Sequence, residues 1–512
     1  MIFGRPLCAQ DPGEIFKRTV IVMKKRGLLS LLLVLVMLAG CAPAAETPAP
    51  DPIPTASAAV PTPAPAPTPE PTPTPEPVDF YEFLDGVNAA REAMYTGEEP
   101  IDLSAYTPDF HEQNHTFTEA EMKVLTTRHD PEENLTREDL IADAETFFTL
   151  LRTTYGAYYY FGGDETFLPL LDAVKEDLAK LEDFSAEGLE DVLFQYVAPV
   201  LVDGHFELGY HPPRSIHSQY MYYVPGLYLD SIEGVENPDY IKPTIGPDGR
   251  ICWWYAALSH DGSDLPDTLD GNRLPWQQAT RISTNPSTRI FTTYEWKGVP
   301  ILTSRSMNPY DNYHHEVQVW VDALEELASC GGDYKDSPLL IFDVRVNGGG
   351  SDGYIRDWFR DWTGEDDQDR RTSAYRISQL SCRLLNYPAE QMGTYGTYSQ
   401  AGGWVERSGP VFVLQDKGTA SAGESAVALF RTAADTLLVG GPTGGLYLTP
   451  NNRSFCLPNT GMDCYFGIGV MLCDTAENID CVGFLPDLWV APNQALTLVE
   501  KLIEYYGLNT EQ

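Results

Sequence analysis

The chain has 512 residues, enough for a sizeable core and for two or three structural units. It carries 74 acidic against 34 basic residues, a net charge of -40, which argues against nucleic acid or anionic lipid as a partner held by surface charge. Removing Cys8 and Cys41 from its nine cysteines leaves seven scattered ones with no CxxC pair, so zinc-type spacing is absent and neither a metal nor a cofactor is expected.

In chain order, residues 1–22 precede Met23 and read as an over-called start. Residues 23–41 read as a lipoprotein signal peptide. Lys24, Lys25 and Arg26 lead an apolar run from Leu28 to Leu38, which is too short to span a bilayer. The run ends in Leu38-Ala39-Gly40-Cys41, which matches the bacterial lipobox, so Cys41 is expected to be acylated and to anchor an extracytoplasmic protein to the cell membrane. Residues 42–78 are almost wholly Pro, Ala, Thr and Glu, a composition that buries no core and prefers extended polyproline II. At roughly 3.1 Å per residue this disordered stalk reaches on the order of 100 Å. Export permits disulfides among Cys456, Cys464, Cys473 and Cys481, but their connectivity cannot be deduced from sequence.

Residues 79–205 read as a mostly helical region, with 79–135 a weakly periodic cover. Thr136-Arg137-Glu138-Asp139 resembles a capping box, and Leu140, Ala144, Phe147, Phe148 and Leu151 follow at helical spacing. Further helices fit Phe167–Leu181 and Glu187–Val197, and the region closes on Asp203-Gly204-His205. Residues 206–296 lose helical period and are rich in Tyr, Trp, Pro and Gly, which predicts a β-rich insertion of short strands. Its Tyr220–Tyr223 and Trp253–Tyr255 either line a cleft or pack a small β core.

Residues 297–508 carry the α/β core. A strand is expected at Pro300–Ser304 and an amphipathic helix through Val317, Trp320, Val321, Leu324 and Leu327. Leu339–Val344 and Val411–Leu414 are near-continuous apolar strands, each followed by a glycine-containing turn and a helix, and Thr436–Val439 is a third. Such alternation indicates a buried, largely parallel sheet. The turns at Gly348-Gly349-Gly350 and Gly418-Thr419-Ala420-Ser421 are neither a P-loop nor a dinucleotide fingerprint. Bare backbone N–H groups at a strand's end can form an anion site, of which an oxyanion hole is one kind. Ser421 opens a helix, where its hydroxyl is exposed and the helix end is positive.

The turn DVRVNGGG at 343–350 resembles that of tail-specific (C-terminal processing) serine peptidases. TASAGE at 419–424 resembles their nucleophile segment, GGPTGG at 440–445 the stretch behind it, and Gly483-Phe484-Leu485-Pro486-Asp487 their closing signature. Asp203-Gly204-His205 is similar to the D-G-H of the branch that includes the tricorn core and retinoid-binding relatives. The resemblance implies a ClpP/crotonase-like α/β core and an endopeptidase acting on a peptide or protein through an acyl-enzyme. It makes Ser421 the nucleophile and gives the oxyanion hole to the N–H groups of Gly349 or Gly350 and of Ala422. Many relatives use a Lys base directly after the T-x-G stretch. Leu446 stands there, and Lys417 is a poor substitute, so His205 becomes the general base, titrating around pH 6–7. Asp480, or Glu477 three residues upstream, is the expected orienting acid. No Gly-Leu-Gly-Phe-like carboxylate loop appears in 206–296, where relatives often carry a PDZ module. The alternative is a catalytically inactive lipoprotein of the same fold that binds a peptide or a hydrophobic ligand.

Overall fold

The computed structural model describes residues 78–95, 99–110, 117–283, 290–309, 317–366, 370–473 and 478–509. The leader, Cys41, nearly all of the stalk and Glu477 lie outside them. Among the described residues, no helix is long and apolar enough to cross a membrane.

Helix α1 (Phe80–Tyr95) corrects the reading of 79–135 as a mere cover. Its Phe80 and Leu84 are buried with Phe412, Leu437 and Val499. Arg91 donates to the Thr436 carbonyl at 2.6 Å and pairs with Asp487 at 2.5 Å. Every one of these partners lies more than three hundred residues away, so local periodicity carries little trace of them. Helix α2 (Arg137–Thr154) starts at the expected cap: Thr136 Oγ1 accepts the N–H of Asp139, and Asp139 Oδ2 accepts that of Thr136. Such a cap is worth about 1 kcal/mol. Leu140, Ala144, Phe147, Phe148 and Leu151 are all buried. Helices α3 (Gly163–Leu178) and α4 (Ala186–Val197) pack on α2 within the same cluster.

The β-rich segment contributes β1 (Tyr220–Leu229), β2 (Ile241–Ile245) and β3 (Ile251–Ser259), paired antiparallel in the order β2-β3-β1. Trp254 is buried against Tyr223 and Tyr228, at ring-centroid distances of 4.8 and 6.2 Å. These aromatics pack the small sheet; none of Tyr220–Tyr223 or Trp253–Tyr255 lines the cavity around Ser421 described below.

The strand at the end of that segment, β4 (Phe291–Trp296), belongs instead to the central sheet, as a hairpin with β5 (Val299–Ser304). Lys297 and Gly298 both have positive φ in the two-residue turn, as a type I′ hairpin requires. Next come helix α5 (Val317–Ser329), β6 (Leu340–Asp343), helix α6 (Gly353–Thr363), and the pair β7 (Arg371–Arg376) and β8 (Tyr395–Gln400). They are followed by β9 (Val411–Gln415), helix α7 (Ala422–Phe430), β10 (Thr436–Gly440), β11 (Asn452–Cys456), β12 (Asp463–Gly467), β13 (Gly469–Cys473), β14 (Leu488–Trp489) and helix α8 (Ala495–Tyr506).

The central sheet runs β14-β10-β9-β6-β5-β4, parallel except for the β4–β5 hairpin. Alternation along the strands sorts its two faces. Leu340, Phe342, Val411 and Val413 meet α5, α6 and α7, whereas Ile341, Phe412 and Leu414 meet α1 and α8. Both faces are covered, which is why these strands read as unbroken apolar runs. Each buried Leu, Val or Phe contributes roughly 1.5–3 kcal/mol. Among the described residues no two of the seven cysteines form a disulfide.

Candidate active site

Parallel strands β6, β9 and β10 deliver the turns 343–350, 416–424 and 440–446 to one edge of the sheet, the edge where α/β folds build their sites. The first turn is held by charge. Asp343 accepts bidentate bonds from Arg345 (2.9 and 2.6 Å) and Arg305 (2.9 and 2.7 Å). Burial opposes its ionisation, but the two guanidiniums win and hold it below the usual carboxylate range. Asn347 joins the first turn to the second: its side chain donates to Ser304 and accepts from Gly349 N, while its carbonyl accepts the N–H of Ala420 at 2.8 Å.

Ser421 sits between β9 and α7 with φ 53° and ψ -119°, a conformation that L-residues avoid. Strain of this kind costs on the order of 1–3 kcal/mol and persists only where the surroundings enforce it. The enforcing residue is Glu424, fully buried three positions on. Its carboxylate accepts Ser421 N (3.0 Å), Leu446 N (2.9 Å), Gly445 N (2.8 Å) and the Thr443 hydroxyl (2.6 Å). One carboxylate therefore ties the 419–424 turn to the 440–445 turn. Burial raises its pKa, and these four donors act in the opposite direction. Gly349 lies against the serine: a Cβ there would stand 2.7 Å from Ser421 Cβ and 2.8 Å from the Ala420 carbonyl.

The Asp203-Gly204-His205 turn arrives on the other side. A Cβ on Gly204 would meet the Gly445 carbonyl at 2.0 Å, so only glycine lets the backbones cross. Asp203, fully buried, accepts from the His205 N–H (2.8 Å), the Tyr155 hydroxyl (2.7 Å) and Thr449 (3.0 Å).

Ser421, Ala422, Gly349, Gly350, His205 and Leu446 all line one cavity of about 880 Å³. The sequence leaves Gly349 and Gly350 as alternative oxyanion donors, and the structure separates them. The N–H of Gly349 is given to Asn347 Oδ1 at 3.0 Å. Among the described residues, the N–H groups of Gly350 and Ala422 have no partner.

The expected contact between Asp480 and the imidazole is not formed. Asp480 Oδ2 accepts Gly204 N (2.8 Å), and Oδ1 accepts Tyr447 N (2.7 Å) and Leu448 N (2.8 Å). Its short side chain ends on the backbone under the turn, while His205 Nδ1 is buried without a hydrogen-bond partner among the described residues. The pKa of His205 also departs from 6–7. Burial first, and the charge of Arg214 second, lower it to about 4. Burial raises both Asp203 and Asp480, and their mutual repulsion raises Asp480 further. Lys417 is tied to the backbone: its Nζ donates to the carbonyls of Cys481 (2.9 Å) and Val482 (3.2 Å), and burial lowers its pKa to about 8. Among the described residues, no three His, Cys, Asp or Glu side chains converge as metal ligands.

Sequence reasoning missed Glu424 and Tyr155. The first was legible, because Ser421-Ala422-Gly423-Glu424 is an S-x-x-E capping pattern. Tyr155 carried no signal, since only the fold brings helix α2 to Asp203. The closing Asp487 proves to be a strut, accepting the N–H of Leu438 at 2.6 Å as well as Arg91.

Residues 305–490 match the model of peptidase family S41. No curated protein matches the chain. Among solved structures, mature CPAF is similar at 12% identity over 72% of this chain and 96% of its own, with TM-score 0.40. The photosystem II D1 C-terminal processing protease is similar at 16% identity, over 73% and 98%, with TM-score 0.36. The tricorn protease is similar at 14% identity, over 72% and 37%, with TM-score 0.32. These likenesses are distant, and the assignment stands on the family match, which takes in the turns of Gly349, Ser421 and Glu424. The match over residues 305–490 supports reading the chain as a serine-type peptidase similar to peptidase family S41, the tail-specific peptidases.

Proposed function

We propose that the chain is an extracytoplasmic, lipid-anchored endopeptidase in which Ser421 is the nucleophile and His205 the general base. One observation carries the reading. Two side chains more than two hundred residues apart in sequence line the same cavity, beside two backbone N–H groups with no partner among the described residues. In the first step Ser421 Oγ attacks the scissile carbonyl carbon while its proton passes to the cavity-facing nitrogen of His205. The carbonyl oxygen gains negative charge and is received by the N–H groups of Gly350 and Ala422, the latter at the positive end of α7. The proton then goes from His205 to the leaving amine as the C–N bond breaks, and water repeats the sequence on the acyl-enzyme. Each oxyanion donor is worth about a hundred- to a thousand-fold in rate. A lowered imidazole pKa keeps His205 neutral, and so able to accept a proton, down to mildly acidic pH.

With Asp480 committed to three backbone N–H groups, it positions the His205 turn, and Glu477 is the acid left to orient the ring. Glu477→Gln should then cost more activity than Asp480→Asn, the reverse of the order expected from spacing alone. Membrane anchoring through Cys41 is supported by the sequence LAGC behind its apolar run. Cys41→Ala should release the protein from membranes or block its processing. The decisive experiment for the mechanism is labelling with a fluorophosphonate. Wild type should be modified at Ser421, and Ser421→Ala should lose both labelling and peptide hydrolysis with little change in melting temperature. Full hydrolysis by Ser421→Ala would overturn the mechanism.

A further inference from the structure

The cavity around Ser421 is lined by three arginines, Arg214, Arg371 and Arg453, and by two carboxylates, Glu207 and Asp352. Two of the arginines are matched. Arg214 pairs with Glu207 at 2.9 Å, and Arg371 faces Asp352 at 3.4 Å. Arg453 is different: it donates to the carbonyl of Asn452 at 2.7 Å, and among the described residues it meets no carboxylate. In a chain of net charge -40, a half-buried cation left over in the catalytic cleft is not background.

A guanidinium offers five N–H donors in a planar fork that matches a carboxylate, and one bond to a carbonyl leaves most of them for a ligand. Asn452, in the same wall, adds an amide. We propose that Arg453 is a specificity determinant that receives an acidic side chain of the substrate, so that the peptidase prefers peptides with Asp or Glu close to the cleaved bond. This rests on the peptidase reading of Ser421. A side chain is favoured over a free chain terminus because termini are captured in nests of open backbone N–H groups. The backbone around Arg453 is instead laddered, with β11 paired to β12 from Asn452↔Gly467 to Cys456↔Asp463.

The test compares peptides capped at both ends, identical except for Glu, Gln or Lys placed at each position within four residues of the cleaved bond. Wild type should cleave the best Glu peptide with a kcat/KM roughly ten- to a hundred-fold above its Gln counterpart, the range of a hydrogen bond to a charged group. In Arg453→Gln that ratio should fall towards one, and in Arg453→Glu the Lys peptide should become the better substrate. Melting curves of the variants report whether they fold. The wild-type ratio stands independently of them, and equal cleavage of Glu and Gln peptides by wild type overturns the proposal. Cleavage that requires a free C-terminus regardless of side chains overturns it in favour of terminus capture. Absence of both cleavage and fluorophosphonate labelling overturns the peptidase reading as well, whereas labelling with no acidic preference overturns this proposal alone.

Discussion

The turn that carries Ser421 and the turn that carries His205 both stand on buried carboxylates, but the carboxylates are used differently. Glu424 reaches from the first turn of α7 back to the N–H of Ser421 itself, and its remaining bonds bind the neighbouring 443–446 backbone. The strained φ of Ser421 is therefore fixed directly. Asp203 and Asp480 instead hold the peptide groups around His205, through His205 N and Gly204 N, and the imidazole Nδ1 has no partner among the described residues. A backbone can be positioned to a few tenths of an ångström while a side chain on it still turns about χ1 and χ2. The Ser421 turn is thus preorganised by its own helix, whereas among the described residues His205 is placed through its backbone.

The largest effect should come from Glu424→Gln. The amide keeps one acceptor oxygen but turns an NH2 towards donors that need an acceptor, leaving buried N–H groups unsatisfied at about 1–3 kcal/mol each. Chemical denaturation should show a loss of about 3 kcal/mol or more, accompanied by collapse of activity. A variant with wild-type stability would mean that the Ser421 turn holds its own shape. Next is Gly349→Ala, where a methyl group meets Ser421 Cβ at 2.7 Å in a backbone with φ 102°. It should lower kcat by at least about a hundred-fold, since small displacements of the reacting group have that effect. Full kcat would show that the serine has room to retreat.

On the base side, Asp480→Asn should lose about ten-fold in activity, against the ~10,000-fold that follows loss of a carboxylate bonded directly to a catalytic imidazole. A loss of the larger size would restore Asp480 to the ring. The same variant has a stability signature. Asp480 is raised in the folded state, so the fold holds a proton that the unfolded chain releases. Its stabilising contribution is full below the ordinary Asp range and is lost as pH rises through the folded pKa. Asp480→Asn should therefore destabilise most at acidic pH and least at alkaline pH, as read from melting temperature against pH. A pH-independent difference would refute this.

The smallest effect should be that of Lys417→Met, which keeps most activity. The rate profile of wild type should fall on the acid side through about pH 4, where His205 protonates, and not through about pH 8, where Lys417 titrates. Arg214→Met, which removes a charge that holds the imidazole down, should move that acid limb to higher pH. An acid limb near pH 8 that disappears in Lys417→Met would make the lysine the base.

The sequence by itself determined the unbroken apolar strands β5, β6, β9 and β10, the capped helix α2, and the order of the motifs that meet at the sheet edge. Period, caps and glycine turns are local, and each leaves its trace within a few residues. Ser421, His205 and the glycines around them were singled out by the resemblance of their ordered motifs to those of tail-specific peptidases, with Ser421 marked besides by its place at a helix start. Only the tertiary structure decided which of two glycines keeps an open N–H, that Asp480 ends on Gly204, and that α1 is a core element joined to Thr436 and Asp487. Those outcomes depend on which polar group reaches which partner first in a water-poor interior. Pairs such as Gly204 with Asp480, 276 positions apart in the chain, are matched by packing and by no pattern along it.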